Sequence, residues 1–353
     1  MRRKRKAPTA PLPQRRGVDP VHLRLPAEGP WPTVRAYLAE RLPTVDPARI
    51  DALLRGREIV GVDGPIGPEE PFRPAGHLWL YRDLPAEVPV PFELEVLYRD
   101  DHLVVVDKPH FLATTPRGRH VVETALSRLR HGLDLPALSP AHRLDRLTAG
   151  LAMFVVRPED RGAYQTLFRD RLVRKEYQAV APHDPALALP RTVRSHIVKE
   201  RGVIAARELD APPNSESRID LVEHRDGLGR YRLRPLSGRT HQLRLHMSGL
   251  GVPILGDPVY PVVLPEPAPD DFRRPLQLLA SVVEFTDPLT GRPHRFETRR
   301  TLAAWADPQS WAAADAPVPA PRPARDPDRG SDEDSDRDTD RDRDHGPGLG
   351  PAI

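Results

Sequence analysis

The stretch richest in chemistry is His142 to Gly150, which reads His-Arg-Leu-Asp-Arg-Leu-Thr-Ala-Gly. Asp145 lies two residues from Arg143 and directly beside Arg146. A carboxylate is ionised at neutral pH, and an adjacent guanidinium lowers its pKa by roughly 1–3 units. Such a group is ready as a nucleophile or base without a cofactor. The same neighbourhood also describes a structural ion pair, and these residues alone leave both readings open. After a Thr-Ala-Gly turn comes the apolar run Leu151 to Val156, stopped by Pro158, which reads as a buried strand. The acid is therefore expected on a loop entering a core strand, where rigid scaffolds tend to carry catalytic groups.

Rival chemistries lack their partners. An aspartyl phosphatase needs a second Asp two residues on, and that position is Leu147. A glycosidase needs a second carboxylate nearby, and no local candidate stands out. Metal hydrolysis needs clustered His and Asp ligands. His241 and His246, five apart on an expected helix, face different sides and read as polar core or surface residues. There is no Gly-x4-Gly-Lys-Ser/Thr loop, and Gly227-Leu-Gly229 lacks the strand-to-helix setting of a dinucleotide site. No metal and no cofactor are expected.

The elements around this stretch suggest how it is held. The chain has 353 residues, enough for about two domains. It has no cysteine, which excludes disulfides and suits a cytoplasmic setting. No apolar run is long enough to span a membrane, and the basic start Met1 to Lys6 is followed by no apolar core, so export is not expected. The net charge of +3 hides an asymmetry: residues 325–353 hold ten acids and five arginines, net −5, so residues 1–324 carry +8. Arginine vastly outnumbers lysine, and guanidinium suits phosphates and base stacking. A basic body points to a polyanionic partner.

Residues 1–20 read as a disordered basic arm, residues 30–83 as a small module, and 84–91 as a proline-rich linker. The main domain runs over 92–306, followed by a disordered Pro/Ala then Asp/Arg tail over 307–353. In the module, Thr33–Leu42 and Pro47–Leu54 have helical spacing, while 58–62 and 77–81 read as strands. This arrangement is similar to a ribosomal-protein-type RNA-binding module. In the main domain, strands are expected at 94–98, 103–106, 175–181, 192–198, 203–209, 217–224, 231–236, 278–285 and 294–297. Helices are expected at 121–133, 161–172 and 239–250. Strand runs broken by a few helices indicate an α+β domain with a mixed, mainly antiparallel sheet.

Four segments in order resemble the RluA-type pseudouridine synthases, enzymes that isomerise uridine in RNA. They are LVVVDKPHFLATTP (Leu103–Pro116), HRLDRLTAG (His142–Gly150), RKEYQAV (Arg174–Val180) and SGRTHQLRLHMSGLGVPILGDPVY (Ser237–Tyr260). Together they cover about residues 90–300. The resemblance implies a fold of that family and a catalytic Asp145. Tyr177 would be the active-site tyrosine, and Arg244 the basic residue that holds the aspartate ionised and aimed. It further implies that Arg143 enters the RNA stack when the target base leaves, and that Leu278 lines the uracil pocket. Arg239 and His142 are added as substrate contacts. The partner implied is structured ribosomal or transfer RNA; no membrane partner is expected, and the protein is read as a monomer. The alternative is a non-catalytic RNA-binding or ribosome-assembly factor that keeps the fold, which would not need Asp145, Tyr177 and Arg244 together. The sequence departs from the family pattern at Ala149, where serine is usual, and at Leu279, where many relatives have histidine. His110 and Leu112 also depart from the small residues expected after Lys108-Pro109.

Overall fold

The computed structural model describes residues 8–83 and 86–314. Its first part is a four-stranded sheet with two helices: β1 (Val21–Arg24), α1 (Val34–Arg41), α2 (Pro47–Arg55), β2 (Val60–Gly61), β3 (Gly64–Pro65) and β4 (His77–Leu80), in sheet order β1-β4-β2-β3. Thr33 and Asp46 cap the two helices by accepting from Ala36 N and Ala48 N. Leu38, Ile50 and Leu54 then bury against Ile59, Leu78 and Leu80. The module therefore begins before residue 30. Val21 and Leu23 alternate with His22 and Arg24, and this short strand pairs antiparallel with β4.

The second part is one 11-stranded sheet with helices on it. In chain order it contains β5 (Glu95–Arg99), β6 (Leu103–Lys108), α3 (Ala125–Gly132), β7 (Ser139–Pro140), β8 (Ala149–Val155), α4 (Arg161–Arg169), β9 (Arg174–Pro182) and β10 (Arg191–Val198). There follow β11 (Arg207–Leu209), β12 (Ser215–Arg225), β13 (Leu228–Pro235), α5 (Gln242–Gly249), β14 (Leu278–Thr286), β15 (Pro293–Glu297), α6 (Ala303–Ala306) and α7 (Pro308–Ala313). The path is β11-β10-β12-β13-β9-β14-β8-β6-β5, with β15 beside β14 and β7 beside β8. Only β14 and β8 run parallel; the other pairs are antiparallel. The fold is the α+β, mainly antiparallel class that the strand pattern predicts.

The unbroken apolar runs in β6 and β8 follow from burial on both faces. Val104, Val106, Ala152 and Phe154 pack under Leu126 and Leu129 of α3. Leu103, Val105, Leu151 and Met153 pack under Tyr164 and Leu167 of α4. Several boundaries differ from the sequence expectation. Residues 121–124 precede the helix, because Thr124 caps it at Ser127 N. Residues 203–206 lie outside β11. The segment expected to be helical from 239 becomes α5 only at Gln242, after His241 in a left-handed conformation.

The basic arm and the linker are also not loose over their described residues. Tyr81 donates its hydroxyl to Pro13 O at 2.7 Å, and the Arg15 guanidinium covers its ring at 3.5 Å. Asp19 pairs with Arg130 of α3 at 2.9 Å. A Cβ on Gly17 would stand 2.1 Å from Ser127 O, so only glycine allows this approach. In the linker, the Glu87 carboxylate accepts the backbone N–H groups of Val121, Val122 and Glu123. At the other end, Trp311 of α7 is buried, so the chain stays folded past residue 307. Residues 1–7, 84–85 and 315–353 lie outside the described residues. That range holds most of the expected acidic tail.

Candidate active site

Asp145 sits on the turn that leads into β8, with Thr148 N donating back to Asp145 O at 3.1 Å. The strand starts at Ala149, two residues earlier than its apolar run suggests. Gly150 is required there: its φ is +104° and a Cβ would stand 2.2 Å from Ala280 O. That close approach lets β14 pair in parallel with β8 at Leu279↔Ala149 and Ala280↔Gly150.

The loop is tied down by the segment that leaves β6. Thr114 Oγ1 donates to Leu144 O at 2.7 Å and accepts from Leu144 N at 3.1 Å. His110 Nδ1 meets Leu147 O at 2.7 Å. Lys108 Nζ donates to Pro109 O at 3.0 Å, to Leu112 O at 2.8 Å and, more weakly, to Arg146 O at 3.4 Å. Lys108 is fully buried, and burial pulls its pKa down to about 7, against the Asp145 charge that raises it. Burial likewise lowers His110 to about 4, so its ring is neutral and donates Nδ1–H to the Leu147 carbonyl. Three carbonyls around the acid, those of Leu144, Arg146 and Leu147, are thus held from one neighbouring turn.

The electrostatic partner of Asp145 is not either flanking arginine. Arg143 and Arg146 make no ion pair with it; the nearest cation is Arg244, with Nη1 3.8 Å from Asp145 Oδ2. Arg244 projects from α5 and is only 3% exposed. Its fork is taken up by Asp257, Nε to Oδ2 at 2.7 Å and Nη2 to Oδ1 at 2.6 Å. Burial alone would lower the Arg244 pKa, but the Asp257 bond and the Asp257 and Asp145 charges outweigh it and raise it. Asp257 Oδ1 also accepts Val259 N and Tyr260 N, so its own position is fixed. The buried charges are compensated, as a low-dielectric site requires.

His241 is the second group facing the acid, with Nε2 3.9 Å from Asp145 Oδ2. Its φ of +59° is unusual for a residue with a side chain. Its Nδ1 meets the Tyr260 hydroxyl at 2.9 Å, and that hydroxyl is bonded to both Ala206 N and Ala206 O. Burial lowers His241 to about 4, so the ring is neutral near pH 7. The expectation that His241 is an ordinary core or surface residue is thus corrected. It holds for His246, which is buried and meets Ser195 and Ser215 through Nε2.

All seven residues singled out from the sequence line one cleft of about 1600 Å³. Asp145, Tyr177, Arg244, Arg143, Leu278, Arg239 and His142 come from four separate stretches of the chain. Tyr177 lies on β9 opposite Ala280 of β14 and Leu233 of β13. Burial, with the Asp145 charge adding, pushes its phenol above the ordinary range. Leu278 opens β14 and packs with Leu243 and Met247. Arg143 is exposed and Arg239 reaches Asn214 O at 3.3 Å. His142 turns its ring inward: Nε2 accepts Met153 N–H at 3.2 Å and the ring stacks on Phe168, centroids 4.4 Å apart. Burial lowers its pKa to about 3. Its bonds are those of a group that anchors the loop at the cleft wall.

Sequence reasoning missed Asp257, His241, Tyr260, Lys108 and Thr114. All but Lys108 are set by contacts between residues far apart in the chain. The available signal was the Gly256-Asp257-Pro258-Val259-Tyr260 run inside the fourth segment, whose polar residues had no assigned work.

Residues 102–249 match a family described as RNA pseudouridylate synthase. Among curated proteins, the chain is 31% identical over 221 residues to the dual-specificity RNA pseudouridine synthase RluA of Haemophilus influenzae, covering 58% of this chain and 93% of that protein. It is 29% identical over 215 residues to ribosomal large subunit pseudouridine synthase D of Pseudomonas aeruginosa, covering 59% of this chain and 63% of that one. Among solved structures, human RNA pseudouridylate synthase domain containing 1 aligns with a TM-score of 0.49 at 23% identity, covering 63% of this chain and 90% of that one.

Proposed function

The chain belongs to the RluA-type RNA pseudouridylate synthase family and is an RNA pseudouridine synthase, and we propose that Asp145 is its nucleophile, acting on uridine in structured ribosomal or transfer RNA. The observation that carries this reading is the arrangement Asp145–Arg244–Asp257. A carboxylate at a cleft wall faces a buried guanidinium that a second carboxylate holds in place.

The isomerisation breaks the bond between ribose C1′ and uracil N1 and forms one from C1′ to C5. It loses the proton on C5 and gains one on N1. A covalent adduct with Asp145 divides this into two easier steps. Arg244 faces the carboxylate without taking one of its lone pairs at full hydrogen-bond distance, since Nη1 stands off at 3.8 Å. Tyr177 offers a ring for the flipped base to stack on, and Leu278 an apolar wall. Its raised pKa makes the Tyr177 phenolate rare near neutral pH, so the phenol serves better as a stacking and donating group than as the base for C5. The Asp145 carboxylate, released from the adduct, is the better acceptor of that proton.

Flipping the nucleotide costs a few kcal/mol of stacking. Arg143, exposed and next to the acid, is suited to fill the vacated space, because a guanidinium both stacks and reaches phosphate. The N-terminal four-stranded module is read as a further RNA contact. We assign the enzyme to the cytoplasm; no helix among the described residues is long and apolar enough to cross a membrane.

The decisive experiment is pseudouridine mapping of total RNA from cells with and without the gene, complemented by wild type or Asp145→Asn. One or a few sites should vanish with the gene, return with wild type, and stay absent with Asp145→Asn although RNA affinity changes little. Restoration of the sites by Asp145→Asn would remove Asp145 from the mechanism. An unchanged map would favour the non-catalytic reading.

A further inference from the structure

The two arginines flanking Asp145 have different surroundings. Arg143 is exposed, whereas Arg146 is partly withdrawn from solvent. Burial lowers the Arg146 pKa, the charge of Arg119 lowers it further, and Glu266 opposes both. Among the described residues no carboxylate lies within ion-pair distance of the Arg146 side chain, and it donates no hydrogen bond. A partly desolvated cation without a counter-ion is unfavourable. Two buried charges nearby are satisfied by partners: Arg244 by Asp257, and Asp107 by Thr298 and Arg299 N. The Arg146 backbone is also pinned, since Lys108 holds its carbonyl and His110 that of Leu147.

Across the same corner of the cleft lies a tight turn closed by mutual backbone bonds between Arg117 and His120. Arg119 on this turn pairs with Glu266, which comes from the segment after Tyr260. Burial, Arg146 and Arg119 all lower the pKa of His120, a sign of the positive potential there. The other nearby acid, Glu87, is committed to the N–H groups of Val121 to Glu123. Two guanidiniums therefore line the cleft, and the one carboxylate paired with either of them among the described residues is Glu266, on Arg119. Arg119, His120, Arg146 and Glu266 all line the cleft that contains Asp145.

We propose that Arg146 and Arg119 form a binding site for one phosphodiester of the substrate RNA next to the nucleotide presented to Asp145, with Glu266 as a displaceable counter-ion on Arg119 in the free protein. The inference rests on the RNA cleft of the proposed function. A phosphodiester suits the site because its two free oxygens spread one charge and each can meet a guanidinium fork. Displacing Glu266 then releases a carboxylate to solvent and gives Arg146 the anion that the protein does not supply.

The test is the affinity of the full-length protein for a fluorescently labelled RNA hairpin with a uridine-containing loop, over a series of KCl concentrations. Arg146→Gln should weaken binding about 5- to 20-fold near 100 mM salt and reduce the slope of log K against log salt by about one. Its Tm should equal or exceed that of wild type, because an unpaired charge is removed. Glu266→Gln should tighten binding several-fold and steepen the slope. Weaker binding by Arg146→Gln with an unchanged slope would mean that the guanidinium stacks on a base, and would overturn the phosphate site. Unchanged affinity in Arg146→Gln, or no tightening in Glu266→Gln, would also overturn it. These readouts need no turnover, so they separate this inference from the identity of the nucleophile, which the pseudouridine map tests.

Discussion

Asp145 depends on residues that were not its neighbours in sequence. Arg143 and Arg146 flank it, yet Arg244 and His241 face it. The geometry gives Asp257 a positioning role, since it holds two of the three nitrogens of Arg244. Asp257→Asn should therefore lower kcat by about 10- to 100-fold, the usual scale for losing an orienting partner, with a smaller change in KM. It should also destabilise the fold by about 3–5 kcal/mol, because a buried guanidinium loses its counter-charge. Steady-state kinetics and denaturant melts check the two parts separately. Equal kcat in variant and wild type would show that Arg244 needs no clamp. Arg143→Ala has a different signature: it should impair formation of the bound, flipped complex while leaving Tm within about 1 °C, as befits an exposed side chain. Stopped-flow binding with a base-analogue fluorophore reads that step.

At the scale of elements, the turn after β6 and the loop before β8 behave as one unit joined by Lys108, His110 and Thr114. Lys108 makes this unit pH-dependent. Burial takes its pKa from the ordinary 10.5 to about 7. Between those values the unfolded chain binds a proton that the folded chain does not, so the group's contribution to stability rises with pH across that window. Below about pH 7 both states are charged and its contribution is constant. The Tm of wild type minus that of Lys108→Met should thus increase from pH 7 to pH 10; a flat difference would show that the lysine is not desolvated. The two departures from the family pattern also resolve at this scale. Ala149 and Leu279 sit opposite one another in the parallel β8–β14 pair, in one apolar cluster with Leu302, Ala304 and Trp311. Where the resemblance leads one to expect a serine and a histidine, this chain has an apolar pair covered by its last helices. Neither residue lines the cleft that holds Asp145.

Across the whole molecule, three partly buried histidines are held in neutral form around the site. His142 is lowered to about 3, and His110 and His241 to about 4, each mainly by burial. Their unfolded values lie near 6.5. As pH falls below about 6.5 the unfolded chain takes up protons that the folded chain refuses, so stability should fall steadily toward pH 4. Each histidine contributes up to about 1.4 kcal/mol per pH unit in that range. Thermal melts from pH 7 to 4.5 should show this, and a Phe168→Ala variant should keep most of it, since His110 and His241 lie elsewhere. A Tm independent of pH in that window would mean that these rings are solvated.

Much of the catalytic domain was legible in order along the chain. Strand and helix identities follow from short-range periodicity, as in β6, β8 and α4, where each side chain's partners recur every two or three to four residues. Asp145, Tyr177 and Arg244 could be named because their segments are distinctive as strings. The boundaries around His241 and residues 203–206 were not legible, since a left-handed residue and a bond from Tyr260 to Ala206 decide them. Nor was the packing of residues 13–19, where Gly17 and Asp19 act only against α3. By itself the sequence determined the fold class and the reaction family and proposed Asp145 as the acid, because these rest on local pattern and on segments distinctive as strings. Only the tertiary structure decided which cation faces that acid, which carbonyls hold its loop and which arginine stands without a counter-ion. Those depend on charges brought within a few ångströms across a low-dielectric interior, where the Coulomb energy is set by distance in space and not by separation along the chain.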